Sequence, residues 1–406
     1  LLTRIMLLSP ILMGISNLIS AVLRVFQKFL ITALAPVFYN LGSIVGIVFF
    51  VPLFGISGLA WGIVLGAGLH LLIQLPALFK VGFRFSRLFS FKDKELLLTI
   101  KLALPRAVGL AASQINLIII TIIGSGLAAG SIGIFNLAND LSLPIIGLIA
   151  IPFSTAVFPS MSLDYSRGDK KELLRKFSSA FRQILFLIIP ASAIAFLLRA
   201  QLVRIVFGAG RFNWSDTKLT AACFGLLMFG LFAGGLIYLL AKTFYSMHNT
   251  IIPALVSILS VASTVLFGYL FVWLFSFSNI VSNAVSLLLD VQGMHNLEVV
   301  GLAIALSLNS IIQLLLLIFF FRKDFPFKEI MHSFVRIIIA SGAAVVFTYL
   351  VRQGLGGFTG TNRFWFLVLQ AGTSGILGFC FYFLIAAAMK SPEASYIFKK
   401  VFHVRY

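Results

Sequence analysis

Carboxylates, cysteines and long polar stretches are all scarce in this chain. Twelve Asp and Glu stand against 31 Lys and Arg, and the acidic residues do not pair at spacings usable for general acid–base catalysis. A Gly-rich phosphate loop and a nucleophile elbow are also missing. An ATPase or hydrolase therefore has little support, and neither catalytic residues nor a cofactor is assigned. The two cysteines, Cys223 and Cys380, lie inside apolar runs, which argues against a disulfide framework or a metal cluster and leaves them as packing residues. His70, His248, His295, His332 and His403 are scattered without ligand spacing, so no metal site is expected. Only 11% of the residues are charged, too few for a water-soluble chain of this length.

What the chain has instead is apolar surface: 60% of its 406 residues are hydrophobic and its mean hydropathy is +1.07. Apolar runs of about 20 residues, enough to cross the roughly 30 Å core of a bilayer, recur near residues 5–23, 31–54, 57–79, 101–124, 130–158, 177–199, 217–241, 250–275, 299–321, 331–351 and 364–389. These eleven runs predict an all-α polytopic membrane protein. They are continuous rather than alternating, and about twice as long as a barrel strand, which argues against a β-barrel.

The net charge of +19 raises the possibility of nucleic acid, but the placement of the cations points elsewhere. With alternate loops on opposite sides, 23 of the 31 Lys and Arg fall on one side and seven on the other, and Arg106 lies inside a span. That bias is the positive-inside signal, which puts the richer side and the C-terminus in the cytoplasm. The basic balance thus implies anionic membrane lipids as partners and no nucleic acid.

One corner is written twice. Arg24–Pro36 (RVFQKFLITALAP) and Lys242–Pro253 (KTFYSMHNTIIP) each follow an apolar run with a cation, a Phe two residues on, a polar knot and a Pro. A span later, Gly58–Gly66 (GLAWGIVLG) and Gly301–Asn309 (GLAIALSLN) both open on Gly-Leu-Ala. Two three-helix units of like order predict duplicated lobes. The second copy has three further spans upstream and the first has none, which predicts three helices before Leu1 and about fourteen spans in the whole protein. The expected organisation is residues 1–79 as the second half of an N-terminal lobe, 80–100 as a cytoplasmic interfacial loop, 101–321 as a six-helix C-terminal lobe, 322–390 as two additional helices and 391–406 as a cytoplasmic tail. In the loop, Phe83, Phe85, Phe89 and Phe91 are placed in lipid, with Arg84, Arg87 and Lys92 at phosphates.

The stretch Phe158–Thr217 carries Phe158-Pro159, Met161-Ser162, a charged loop, Arg182 heading the next helix, Pro190 in its middle, and then Phe207, Gly210 and Phe212. This order resembles the lipid II flippases of peptidoglycan synthesis, the MurJ/MviN family, within the superfamily that includes the MATE exporters. Ala35–Gly46, Gly58–Leu78 and Leu104–Ile119 are similar to it as well, and the similarity runs from Leu1 to about residue 320. The resemblance implies fourteen helices, two six-helix lobes around a cationic cavity, and a groove for a polyprenyl tail at the last two helices. It further implies that the chain moves lipid II, an undecaprenyl-diphosphate-linked muropeptide, from the inner to the outer leaflet of a bacterial plasma membrane. Cell-wall synthesis proteins are expected as partners. Rival readings are a flippase for polyprenyl-linked polysaccharide units, a MATE-like cation-coupled exporter, and a nontransporting scaffold for cell-wall enzymes.

Polar residues inside spans are the candidate substrate-binding groups. Arg106 either holds phosphate oxygens, which suit its guanidinium fork, or snorkels to headgroups. Gln114 and Asn116 bind sugar or peptide, or else hydrogen-bond between helices. Asn136, Asn139 and Asp140 line the cavity, with Asp140 available for ion coupling, or they pack structurally. Many family members have an Arg and a Glu just before the Pro of this helix, where Asn139 and Ser142 precede Pro144 here. Asn17 and Asn40 either line the first lobe or pack between helices. Pro144, Pro152, Pro159 and Pro190 mark gates or permanent kinks, and Lys242 and Arg24 are read as topology anchors.

Overall fold

The computed structural model describes residues 2–83, 97, 107, 111, 114–210, 212–294, 296–356 and 364–395. Most of the 80–100 loop, Arg106 and the tail from residue 396 therefore lie outside the described residues. Among the described residues, ten helices are long and apolar enough to cross a membrane. The eleventh expected span, 101–124, is described only at its end, the helix Gln114–Ser125. The chain divides into two compact units, Leu1–Leu96 and Leu97–Tyr406.

The first unit consists of α1 (Leu2–Met6), α2 (Leu8–Val25), α3 (Phe29–Val45), a π-turn at Gly46–Phe50, α4 (Val51–Phe54), α5 (Ser57–Leu72) and α6 (Leu75–Lys80). The polar side chains that cross between its helices come from residues the sequence did not single out. Ser16 Oγ lies 2.7 Å from His70 Nδ1, Ser20 donates to Gln74 Oε1 at 2.7 Å, and Gln74 Nε2 donates to Ser16 Oγ at 2.7 Å. Asn17 and Asn40 are exposed within this unit.

The second unit contains α7 (Gln114–Ser125), α8 (Ser131–Leu148), α9 (Ala150–Ser166), α10 (Lys170–Leu197), α11 (Arg199–Phe207), α12 (Trp214–Ser246), α13 (Ile251–Phe275), α14 (Ile280–Leu289), α15 (Glu298–Phe321), α16 (Phe327–Gly356) and α17 (Phe364–Ala388). The single run 130–158 is two helices broken at Ile149, because Pro152 has no N–H to give to the Leu148 carbonyl. Helix α12 is the most buried, with α8, α9, α10, α11 and α15 packed on it, and α10 joins it to α16 and α17. Cys223 is buried and gives its thiol to the Val299 carbonyl at 3.7 Å. Cys380 is exposed on α17, which corrects its assignment as a packing residue.

The repeated corners share a geometry. Gln27 (φ 58) and His248 (φ 57) are both left-handed, and in each corner the following N–H reaches back five residues, Lys28 to the Leu23 carbonyl and Asn249 to the Phe244 carbonyl, both at 2.9 Å. This register makes Tyr245, not Lys242, the counterpart of Arg24. The two Gly-Leu-Ala starts match as well. A side chain on Gly58 would collide with the Phe50 carbonyl, and one on Gly301 would meet the Phe271 carbonyl oxygen at 2.7 Å, so both glycines permit a close crossing with the helix before. Beyond that point the copies differ. Gly42 packs on Gly66 and Gly46 on Gly62 between α3 and α5, whereas between α13 and α15 the position of Gly42 and Gly66 is taken by Ser263, whose hydroxyl donates to Asn309 Oδ1.

Two locks hold the last helices to α10. Pro190 leaves the Phe186 carbonyl without its helical donor, and the hydroxyl of fully buried Tyr382 donates to that carbonyl at 2.8 Å. Nearer the C-terminus, Glu393 accepts from Arg182 Nη1 at 3.2 Å, Ser333 Oγ at 2.9 Å and Ser391 Oγ at 2.7 Å. Tyr382→Phe should destabilise the protein by about 1–2 kcal/mol, since it leaves a buried carbonyl unpaired. In a Pro190→Ala background, where the helix supplies its own donor, the same substitution should cost much less. A thermal-denaturation double-mutant cycle on the purified protein checks this, and equal costs in both backgrounds would refute it.

Candidate functional site

A cavity of about 560 Å³ opens in the middle of the second unit. Its described wall is built from six helices, α7, α8, α9, α12, α13 and α15. On α12, Gly230 lies against the Ser307 backbone, which draws α12 and α15 together, while Gly234, Tyr238 and Lys242 continue the same face at helical spacing. Helix α15 presents Asn309, Ser310 and Gln313, again on one face. Asn116 comes from α7, Asn139 and Ser142 from α8, and Ser257 from α13.

The polar groups in this wall are oriented by hydrogen bonds behind it. Ser307 Oγ donates to the Leu226 carbonyl at 2.8 Å, Ser310 Oγ to the Leu306 carbonyl at 3.0 Å, and Ser142 Oγ to the Asn139 carbonyl at 2.7 Å. Asn116 Nδ2 donates to Ser260 Oγ at 3.1 Å. Its Oδ1 is buried and has no hydrogen-bond partner among the described residues. Lys242 Nζ hydrogen-bonds Thr155 Oγ1 and supplies positive charge to the wall. Among the described lining residues there is no carboxylate. The described lining can therefore hydrogen-bond hydroxyls and amides, and its one charged side chain is a cation.

The structure brings Asn116 and Asn139 together at this cavity. Gln114, Asn136 and Asp140 are exposed and lie outside its lining; Asp140 and Asn136 share the exposed stripe of α8. Arg106 falls outside the described residues. The sequence reading missed Lys242 as a lining residue, having taken it for an anchor, and missed Asn309, Ser310 and Gln313. The signal was available in SLNSIIQ (Ser307–Gln313), a polar cluster at helical spacing within an apolar helix.

The family model described as "Lipid II flippase MurJ" matches residues 1–368. The chain belongs to the MurJ family. A relative named as a probable lipid II flippase MurJ in Buchnera aphidicola subsp. Acyrthosiphon pisum is 33% identical over 254 residues, covering 62% of this chain and 50% of that protein. One so named in Vibrio cholerae is 27% identical over 301 residues, covering 73% and 53%. The chain thus spans about half the length of the curated relatives it matches. A solved structure described as lipid II flippase MurJ in an inward closed conformation covers 94% of this chain and 72% of that one, with a TM-score of 0.70 and 23% identity, and so shares the MurJ fold.

Water in this cavity would have a measurable consequence. In a background lacking Cys223 and Cys380, single cysteines at Ser310 and Gln313 should react with a water-soluble, membrane-impermeant thiosulfonate. A cysteine at Leu315, exposed on the other face of α15, should not, because a thiolate does not form in hydrocarbon. Equal labelling at 313 and 315 would mean that this wall is not lined by water.

Proposed function

We propose that this chain moves lipid II from the inner to the outer leaflet of a bacterial plasma membrane by alternating access, without making or breaking bonds. The observation that carries the reading is the set of polar groups in the cavity wall: amides, hydroxyls and one lysine placed among leucines and isoleucines, with no carboxylate among the described lining residues. A head group of sugars, peptide and diphosphate needs neutral hydrogen-bonding partners and a cation while it crosses hydrocarbon. An exporter of organic cations needs the opposite charge. MurJ family membership supports the same substrate.

In this mechanism Lys242 attracts the diphosphate, and Asn116, Asn139, Asn309 and Gln313 replace water around the sugars and peptide, which lowers the cost of desolvating them. The polyprenyl tail stays in lipid. The break at Ile149 between α8 and α9 serves as a hinge, since the missing Pro152 donor removes a rung of the helix there. The C-terminus lies in the cytoplasm, as the cation bias requires, and anionic lipids gather at that face. Cell-wall synthesis proteins receive the exported substrate.

The test is expression of the full-length protein in cells depleted of their own lipid II flippase, with lipid II exposed on the outer leaflet as the readout. Exposure should be restored. Lys242→Ala should lower it about tenfold or more, as expected for loss of a charge-assisted phosphate contact worth about 1.5–3 kcal/mol. Inner-leaflet accumulation despite correct insertion would overturn the reading.

A further inference from the structure

A second cavity, also of about 560 Å³, opens where α13 passes to α15. The connection is tied at both ends of α14. Asn279 and Ser282 form a reciprocal capping box at its start. At its end Asp290 is left-handed (φ 60) and pairs with Lys218 at 3.3 Å. The helix between is two-faced: Ile280, Leu287 and Leu288 are exposed, a stripe suited to the bilayer interface, whereas Ser282 and Ser286 turn inward.

The cavity wall holds Asn283 of α14 together with Gln292, Asn296 and Glu298 from the segment that follows it, the first three exposed. The inward serines are already used on backbone carbonyls, Ser282 on Phe277 at 3.2 Å and Ser286 on Asn283 at 2.9 Å. Asn283 spends only its Oδ1, accepting from Ser278 at 3.2 Å. The side chains of Gln292, Asn296 and Glu298 have no hydrogen-bond partner among the described residues. Phe277 forms part of the wall, and Trp273, 60% exposed, packs edge-on against it with ring centroids 5.0 Å apart.

This set of groups selects among ligands. A lipid tail would desolvate the amides without replacing their hydrogen bonds. A phosphate would meet the Glu298 carboxylate, the one charge among the described wall residues, and a divalent metal would want more carboxylates than this. Planar amides with a carboxylate match the donors and acceptors of adjacent hydroxyls and of an acetamido group, and aromatic rings take the apolar face of a pyranose.

We propose that this bowl binds an N-acetylated sugar unit at the membrane face opposite the basic loops, as a docking site for the head group on the exit side. The exit-side role rests on the transport reading above, while the binding chemistry rests on the bowl alone.

The test is saturation-transfer NMR on the full-length protein in nanodiscs, with N,N′-diacetylchitobiose as the probe. Saturation should reach the acetamido methyls. Gln292→Ala combined with Asn296→Ala, and separately Glu298→Gln, should weaken binding about fivefold or more at an unchanged melting temperature, since these side chains have no hydrogen-bond partner among the described residues. Absence of transfer to the wild-type protein, or transfer that all the variants retain, overturns the proposal. Lipid II exposure measured alongside separates the two claims. Sugar binding without lipid exposure keeps the bowl and sinks the flippase, while lipid exposure without sugar binding does the reverse.

Discussion

Hydrocarbon offers no hydrogen bonds, so each polar group that this chain carries into the bilayer must find its partner in the protein or in water that the protein admits. That constraint explains the side-chain contacts between helices better than any tally of apolar packing does. Pro190 strips a donor from the Phe186 carbonyl, and Tyr382 is buried against it from another helix. Ser16, His70, Ser20 and Gln74 close their polar groups on one another. One left-over polar atom, Asn116 Oδ1, belongs to a residue that lines a cavity.

The duplicated corner shows how one local design can be turned to two purposes. Both copies reverse direction on a left-handed residue and cross the next helix at a glycine. In the first copy, Gly42 and Gly46 meet Gly66 and Gly62, and the backbones touch. In the second, Ser263 and Asn309 stand at the Gly42 and Gly66 positions and hold the helices by a side-chain bond. A seam of glycines leaves no room between helices. A serine and an asparagine keep the helices joined and give the neighbouring cavity one of its polar groups.

The two additional helices are part of the second compact unit. Their inner attachment is the Tyr382 hydroxyl, and their attachment near the C-terminus is the Glu393 carboxylate, which collects Arg182, Ser333 and Ser391. A buried carboxylate with three donors tolerates the loss of none of them cheaply. Arg182 was expected to head its helix but lies near the middle of α10; within the motif that carries the family resemblance, this contact supplies a structural reason for an arginine at that position.

Helix positions, membrane class and the repeat were legible in the sequence because they depend on the length, periodicity and order of apolar runs, which neighbours in the fold do not alter. The break at Ile149 was only half legible: the prolines announced a bend, but not that Pro152 would split the run there. Which polar residues share a site was not legible. Asn139 and Asp140 are adjacent in the chain, yet one lines the cavity and the other is exposed outside its lining, since successive helical residues point about 100° apart and only packing decides which direction is inward. Lys242 looked like an anchor for the same reason. The sequence determined that this chain spans a membrane and how often; tertiary structure decided which of its few polar groups meet, because side chains a hundred or more residues apart converge only through packing.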